Sequence, residues 1–263
     1  MSIFVFKILL NQLNILTFLI VFIDSPLRVH LIIIIKYLKF NTKSKFIYVK
    51  GVYNMDKVIY RNLAETDYET MKEFIGEAFG FNEFVKDKKL LDILLGGYLK
   101  ECLLESSFGK VAQKDNEVVG FILGSAKKDE NRFKNCNNIL NIDPNEIDLI
   151  INNNKNKELF KEFSKITDTY KELIKESEDD FQGCIQLFIV SKKCRGLGIG
   201  KSLIGHLFNY MKNMDVKSLY LYTDTRCNYK FYDSQNFKRI NEKEIYLKSF
   251  KTPLNIFLYG YNF

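Results

Sequence analysis

A glycine-rich stretch constrains the fold of this chain more than any other feature of its sequence. Residues 190–202 read VSKKCRGLGIGKS and place glycine at 196, 198 and 200, although the 263-residue chain has only 14 glycines. The stretch follows the apolar run CIQLFIV (184–190) and leads into the amphipathic run GKSLIGHLFNYMKNM (200–214). It therefore joins a predicted buried strand to a predicted helix, where glycines allow a close approach of the backbone to a ligand.

This junction also predicts an anion-binding site. The N–H groups in the first turn of a helix have no partner within the helix and lie at the positive end of its dipole, so they bind phosphate oxygens. Arg195 and Lys201 would add positive charge to this glycine loop, residues 195–201. A plain structural turn would not account for three glycines beside two cations.

Two common phosphate-binding motifs do not fit the glycine loop. The dinucleotide motif GxGxxG would require glycine at position 201, which is lysine. The GxxxxGK[ST] loop that binds nucleoside triphosphates would require glycine at position 195, which is arginine. The loop is therefore expected to bind a different phosphate-containing ligand.

The pattern Arg195-Gly196-Leu197-Gly198-Ile199-Gly200 resembles the R/Q-x-x-G-x-G/A loop of the GNAT superfamily of N-acetyltransferases. A second signature of that superfamily is similar to TDTRCNYKFYDSQNF (223–237). The resemblance covers most of residues 57–263 and implies an α/β fold, with a mixed, mostly antiparallel central sheet flanked by helices. Residues 129–180 would form a helical insertion between the third and fourth strands. The implied activity is transfer of an acetyl group from acetyl-CoA, used as a co-substrate, to a primary amine.

The resemblance also implies roles for individual residues. Backbone N–H groups of the glycine loop would bind the pyrophosphate of acetyl-CoA, and the residues concerned are Arg195, Gly196, Leu197, Gly198, Ile199, Gly200 and Lys201. Phe188, Ile189 and Val190 would pair with the pantetheine arm and polarise the thioester carbonyl. Asn228 would hydrogen-bond the pantetheine region, and Tyr232 would protonate the leaving thiolate as general acid. A phenol with a pKa of about 10 stays protonated at neutral pH, as that role requires.

Several residues bear on how complete the catalytic machinery is. Asn236 replaces the glycine usual before the final Phe of the second signature, and Asn is the next most suitable residue for a left-handed helix end. The fourth predicted strand carries Gln186 where related enzymes often have a carboxylate base. Asp180 or a chain of water molecules could take the amine proton, and His206 is expected to be structural. A CoA-binding regulatory module without turnover is the alternative function.

Hydrophobic periodicity gives the order β-α-α-β-β-insertion-β-α-β-α-β-β, which indicates an α/β domain. VIYRN (58–62) is the first strand, a capping-box pattern at 66–69 precedes the first helix, and 84–105 is the second helix. Asp115-Asn116 joins two β-rich runs as a hairpin, and Asp143-Pro144 begins a helix of the insertion.

The formal charge of +7 does not indicate nucleic-acid binding. Seven lysines and arginines and one aspartate give +6 to residues 1–54, which leaves +1 for residues 55–263. We therefore expect a small-molecule, peptide or protein amine as partner, and no nucleic acid. Five cysteines without a CxxC pair, and only two histidines, predict unpaired thiols and no metal, as is typical of a cytoplasmic protein. A homodimer paired through the last strand is compatible with this order of elements.

Residues 1–54 form an apolar and basic leader. The run at 8–23 is interrupted by Asn11, Gln12 and Asn14, and the later LIIII run is much shorter than the roughly 20 residues that span a bilayer. Residues 50–55 could be encoded by a purine tract like a ribosome-binding site before a start codon. We therefore interpret 1–54 as translated upstream sequence and 55–263 as the N-acetyltransferase domain, beginning at Met55. A genuine membrane anchor is the alternative.

Overall fold

The computed structural model describes four strands between residues 4 and 48 by their backbone, and then residues 58–134, 136, 139–140, 143–250 and 252–263. The chain divides into two compact units, Met1–Lys57 and Val58–Phe263. The proposed start at Met55 lies outside the described residues and stays a prediction.

The first unit contains a four-stranded antiparallel sheet. Its strands are β1 (Phe4–Leu9), β2 (Leu16–Asp24), β3 (Arg28–Lys36) and β4 (Ile47–Tyr48), and they pair in chain order. Residues 16–23 of the first apolar run and the whole LIIII run (31–35) thus lie in strands. Among the residues described here, no helix has both the length and the apolar character needed to cross a membrane.

The second unit is built on a seven-stranded sheet. Its strands are β5 (Ile59–Asn62), β6 (Phe108–Lys114), β7 (Glu117–Ala126), β8 (Gly183–Val190), β9 (Ser218–Asp224), β10 (Lys238–Ile245) and β11 (Leu254–Asn262). The spatial order is β10-β11-β9-β8-β7-β6-β5, and every neighbouring pair is antiparallel except β8 and β9. The predicted mixed, mostly antiparallel sheet is confirmed.

Helices flank this sheet in the predicted order, with one additional short helix, the second, before the helix predicted over 84–105. They are α1 (Tyr68–Phe79), α2 (Phe81–Phe84), α3 (Lys88–Leu104), α4 (Pro144–Asn152), α5 (Asn154–Ile174), α6 (Ile199–Asn213) and α7 (Lys230–Ser234). Helices α4 and α5 lie between β7 and β8, which are the third and fourth strands of this unit. The predicted helical insertion is therefore present at its predicted place.

The first two predicted helices begin differently from the expectation. No side chain caps α1, and the Asp67 carboxylate instead accepts hydrogen bonds from the Ala64 N–H (2.9 Å) and from the Arg61 guanidinium (2.7 and 2.6 Å). The helix predicted over 84–105 begins only at Lys88, because the Asp87 carboxylate caps it by accepting from the Leu90 N–H at 2.9 Å.

Two other local predictions hold. Asp115 and Asn116 both have left-handed backbone conformations, with φ of 52° and 66°, as a tight two-residue hairpin turn requires. Asp143 caps α4 by accepting from the Asn145 N–H at 2.8 Å. In both places the short-range chemistry of the residues determines the local structure.

Two hydrophobic cores lie on opposite faces of the sheet. Leu203 and Leu207 of α6 belong to one core, and Phe188 of β8 packs against it. Leu99 of α3 and Leu187 of β8 belong to the other. Because neighbouring residues of a strand point to opposite faces, β8 contributes to both cores. A third core joins α5 to β10 and β11 through Leu173 and its neighbours.

Candidate active site

The parallel pair β8–β9 separates part-way along its length. The two strands pair only where Gly183–Ile185 lie beside Leu219–Leu221. Strand β8 nevertheless continues to Val190, and β9 continues to Asp224. Beyond the paired segment the strands enclose a cleft of about 640 Å³.

An irregularity in β8 lies where the two strands part. Against β7, the register passes from Gly124 beside Ile185 to Leu123 beside Leu187, so Gln186 is an extra residue. Such a β-bulge bends a strand and increases its twist, which accounts for the departure of β8 from β9. Gln186 also lines the cleft.

The glycine loop borders the cleft and exposes unbonded backbone N–H groups. Gly196 and Gly198 have φ of 81° and 76°, a left-handed conformation that side chains rarely adopt. Helix α6 begins at Ile199, and its first hydrogen bond runs from the Ser202 N–H to the Gly198 carbonyl (3.0 Å). Within the described chain, no side chain caps this helix, so the N–H groups of residues 199–201 are free to bind a ligand.

The three glycines of the loop serve two different purposes. A Cβ at Gly196 or Gly198 would meet no atom within 4 Å, so the space beside them is open. A Cβ at Gly200 would lie 3.3 Å from the Phe231 ring and 3.4 Å from the Phe188 ring. Gly200 therefore permits close packing of α6 against α7 and β8, while the first two glycines permit the backbone conformation of the loop.

Most of the predicted cofactor-binding residues line this cleft. Those that do are Phe188, Ile189, Val190, Arg195, Gly196, Gly198, Ile199, Gly200, Lys201 and Asn228. Leu197 does not line the cleft, and it is 55% exposed to solvent. Arg195 and Lys201 are exposed at the loop.

Tyr232 lies in α7 and is 92% buried, with 8% of its surface exposed. Its ring packs 5.6 Å from that of Phe237 and 6.4 Å from that of Phe188, and it lines the cleft. No group in the described part of the chain hydrogen-bonds its hydroxyl. Burial, together with the nearby Cys227 thiol, raises the pKa of the Tyr232 hydroxyl, so the phenol is protonated throughout the neutral range.

Asn228 lies in the turn that precedes α7, rather than within the helix. Its carbonyl accepts a hydrogen bond from the Phe231 N–H at 3.1 Å, and its side chain is exposed at the cleft. Asn236 ends this segment with a φ of 64°, the left-handed conformation expected from its place in the sequence.

A second part of the lining was missed by the sequence analysis. Elements α1, α3, α5 and β9 contribute an acidic wall, composed of Glu77, Glu101, Glu105 and Asp224 with Tyr98, Tyr170 and Tyr222. The only sequence signal for this wall is the spacing of Tyr98, Glu101 and Glu105, which places all three on one face of α3.

Asp224 is the half-buried carboxylate of the acidic wall. It lies at the end of β9, where its Oδ1 accepts a hydrogen bond from the Arg226 N–H at 2.7 Å. Burial raises the pKa of the Asp224 carboxyl, and the backbone hydrogen bonds oppose that change. Burial and the charge of Asp224 raise the pKa of the Cys227 thiol to about 12, so this thiol is protonated at neutral pH.

The structure does not bring the other candidate base to the cleft. Asp180 is exposed before β8 and is not among the cleft residues. His206 packs against Tyr60, with ring centroids 5.1 Å apart, and lies outside the cleft as a structural histidine would. The five cysteines are free thiols, and no cluster of three or more potential metal ligands occurs among the described residues.

Comparisons with known proteins identify the family of this chain. Residues 68–237 match the acetyltransferase (GNAT) family. None of the curated proteins compared with the chain matches it in sequence.

Three of the similar solved structures show how low the sequence identity to this chain is. A ribosomal-protein-alanine N-acetyltransferase from Brucella melitensis is 14% identical, with a TM-score of 0.44 over 78% of this chain and 99% of that one. A GNAT acetyltransferase from Staphylococcus aureus Mu50 is 18% identical, with a TM-score of 0.45 over 78% of this chain and 99% of that one. Arabidopsis thaliana Naa50, solved with the bisubstrate analogue CoA-Ac-MVNAL, is 15% identical, with a TM-score of 0.46 and again 78% and 99% coverage.

The family match spans α1 to Phe237 and so includes both sequence signatures, the glycine loop and Tyr232. It confirms the resemblance on which the fold and the enzyme class were predicted. The chain belongs to the GNAT family of acetyltransferases.

Proposed function

We propose that this enzyme transfers an acetyl group from acetyl-CoA directly to a primary amine, with Tyr232 as general acid. One observation carries the proposal: a single cleft contains the free N–H groups of the glycine loop, the unpaired edge of β8 and the unpartnered hydroxyl of Tyr232. An acetyl-CoA molecule needs these groups in this order, from its pyrophosphate to its thioester.

The glycine loop holds the pyrophosphate in this proposal. The free N–H groups at the start of α6 donate to phosphate oxygens, and the positive end of the helix dipole favours their charge. Arg195 and Lys201 add two cations at the same place. Leu197 would contribute only its backbone, because it is exposed and does not line the cleft.

Strand β8 holds the pantetheine arm. Residues 186–190 have no partner on the side of β9, so an extended amide-containing chain can pair with them as an added strand. Phe188, Ile189 and Val190 would make these contacts, and Asn228 would hydrogen-bond the arm from the other side. A backbone N–H of this segment would also donate to the thioester oxygen as negative charge develops there.

The chemical step is an acyl transfer without a covalent enzyme intermediate. The amine nitrogen forms a bond to the acetyl carbon, and the bond between that carbon and the CoA sulfur breaks. Tyr232 donates its proton to the departing thiolate. We propose Asp224 as the group that takes the amine proton, because it is a half-buried carboxylate of the cleft and its burial raises its pKa.

We propose that residues 55–263 form the acetyltransferase domain. Their near-neutral charge supports an amine acceptor rather than a nucleic acid, and the free thiols support a reducing compartment such as the cytoplasm. The alternative function is a CoA-binding module without turnover. An acidic wall supplying a candidate base favours the enzyme over that alternative.

Release of the CoA thiol from acetyl-CoA tests the proposal. The enzyme is incubated with acetyl-CoA and a panel of primary amines, and free thiol is followed while mass spectrometry follows the acetylated product. Amine-dependent release with equal amounts of thiol and acetylamine is expected. Tight binding of acetyl-CoA without amine-dependent release would instead support the module without turnover.

A further inference from the structure

Charge is distributed unevenly around the cleft. Cationic side chains border it near the glycine loop at Lys192, Arg195 and Lys201. The acidic wall carries four carboxylates, and the one cation beside them in the described lining, Arg226, is shared between Asp224 and Glu83, which it pairs with at 2.9 Å outside the cleft. A ligand that spans the cleft therefore meets positive charge at one part and net negative charge at another.

Two carboxylates of the wall lie where they oppose helix stability. Glu101 lies in the last turn of α3 and Glu105 is its C-cap residue, where the helix dipole is negative. They are also four residues apart, so their like charges repel each other on one face. Neither forms an ion pair with a lysine or arginine in the described part of the chain. Residues that destabilise the fold locally are expected at sites where they bind a ligand.

The tyrosine rings of the acidic wall line the cleft together with these carboxylates. Tyr170 and Tyr222 stack with centroids 4.2 Å apart and an interplanar angle of 8°, and the Tyr222 hydroxyl donates to the Tyr170 carbonyl at 2.8 Å. Tyr98 packs edge-on against Phe79 at 5.7 Å. Fixed aromatic surfaces of this kind suit the methylene groups of an alkyl chain and also attract cations.

An independent observation points to a ligand in this cleft. The Tyr232 hydroxyl is carried by a side chain that is 92% buried, and it lines the cleft without a hydrogen-bond partner among the described residues. The hydroxyl itself is accessible from the cleft, so it is free to pair with a polar group of the bound reactants. Asp224 lines the same cleft as Tyr232.

We propose that the acceptor is a linear aliphatic diamine or polyamine, a proposal that rests on the acetyl transfer proposed above. The amine that is acetylated lies beside Asp224 and Tyr232. A second ammonium group binds Glu101 and Glu105, and the alkyl chain between the two nitrogens packs on Tyr98, Tyr170 and Tyr222. Acetylation removes one of the two positive charges, so the product binds the acidic wall less tightly than the substrate and leaves.

Three four-carbon amines test the proposal: 1,4-diaminobutane, 1-aminobutane and 4-aminobutanoate. They share a reacting amine and differ in the charge of the far end. We expect kcat/KM for the diamine to exceed that for the monoamine at least about tenfold, and the aminobutanoate to be the poorest acceptor. The preference should weaken as ionic strength rises.

A double variant, Glu101→Gln with Glu105→Gln, tests whether the acidic wall causes the preference for the diamine over the monoamine. It should raise KM for the diamine about tenfold and bring the ratio of diamine to monoamine efficiency close to one. The matched control, Glu73→Gln with Glu158→Gln, removes the same charge from exposed positions outside the cleft and should keep the preference. Acetyl-CoA affinity, measured by calorimetry on each protein, reports whether the cofactor site is intact.

The possible failures are distinguishable. If the monoamine or the aminobutanoate matches the diamine, or if the double variant keeps the preference, the diamine proposal is overturned while acetyl transfer stands. If a peptide amine is acetylated far faster than the diamine, the diamine proposal is likewise overturned. If acetyl-CoA binds and no amine of any kind is acetylated, acetyl transfer itself is refuted.

Discussion

The glycine loop and the acidic wall are two parts of one cleft that present different chemical groups to a ligand. The loop presents backbone N–H groups, and its three glycines lie within five consecutive residues. The wall presents side chains from α1, α3, α5 and β9, which are far apart along the chain. A backbone site suits the invariant pyrophosphate of a cofactor, whereas a side-chain site can be changed residue by residue to suit an acceptor.

The largest expected effect is that of Tyr232→Phe, which acts in the cleft that the loop and the wall share. Removing the hydroxyl should lower kcat about 100-fold or more, because the thiolate would leave unprotonated. The dissociation constant for acetyl-CoA should stay within about twofold, since the ring packing is kept. The control is Tyr229→Phe, the same change at a neighbouring tyrosine that does not line the cleft. Steady-state kinetics and calorimetry measure the two quantities, and an unchanged kcat would refute the acid role.

A substitution in the loop should affect only the cofactor. Gly198→Val places a β-branched residue at a φ of 76°, where such residues are strained by about 1–3 kcal/mol, and should distort the free N–H groups. We expect the dissociation constant for CoA to rise about 30-fold to 100-fold, since about 1.4 kcal/mol corresponds to a factor of ten.

The matched control for the loop is Gly205→Ala in α6. A Cβ there meets no atom within 4 Å and the backbone conformation is helical, so CoA affinity should not change. Calorimetric titration of both variants, after circular dichroism has shown that they are folded, makes the comparison. Equal CoA affinity of the two variants would contradict the role of the loop.

A substitution in the wall should affect the amine and the pH profile. Because burial raises the pKa of the Asp224 carboxyl, the active carboxylate forms only above that pKa, and kcat/KM should rise with pH through it. Asp224→Asn should lower kcat/KM for the amine about 30-fold and remove this acidic limb. A pH profile of the variant that keeps the limb would show that another group is the base.

The same pKa shift predicts a change in stability. The folded state binds the proton of Asp224 more tightly than the unfolded state, so stability from this group is present at low pH and is lost as pH rises through the folded pKa. Asp224→Asn, which can still accept the Arg226 N–H, should therefore raise the unfolding temperature at pH 7. Thermal unfolding at pH 4 and pH 7 tests this, and the gain should be larger at pH 7.

The smallest expected effect is that of Arg226→Ala. Arg226 pairs with Glu83 and lies 4.5 Å from the centroid of the Phe250 ring, both partly exposed contacts worth less than about 1 kcal/mol each. Its loss should make the wall more negative and lower KM for a cationic amine about twofold. A higher KM for such an amine would mean that Arg226 itself contacts the acceptor.

The contrast between loop and wall also explains what the sequence predicted. The loop and the Tyr232 segment are short, and each carries its information in consecutive residues, so the fold, the enzyme class and the cleft positions of Gly198 and Tyr232 could be predicted. The strand separation depends on an extra residue at Gln186, which is defined only against β7. Asp224 and Glu105 are ordinary acidic residues until folding brings their elements to one cleft. For the same reason, the position of Asp180 just before β8 in the sequence did not indicate that this residue lies outside the cleft.

Amide hydrogen exchange with and without acetyl-CoA tests the central claim most directly, because that claim concerns backbone N–H groups. The N–H groups of residues 199–201 lack partners in the free protein and should exchange fast. Addition of acetyl-CoA should slow exchange in peptides covering 186–190 and 196–201, and leave peptides from 98–105 of the acidic wall unchanged. Unaltered exchange across 196–201 at saturating acetyl-CoA would contradict the account.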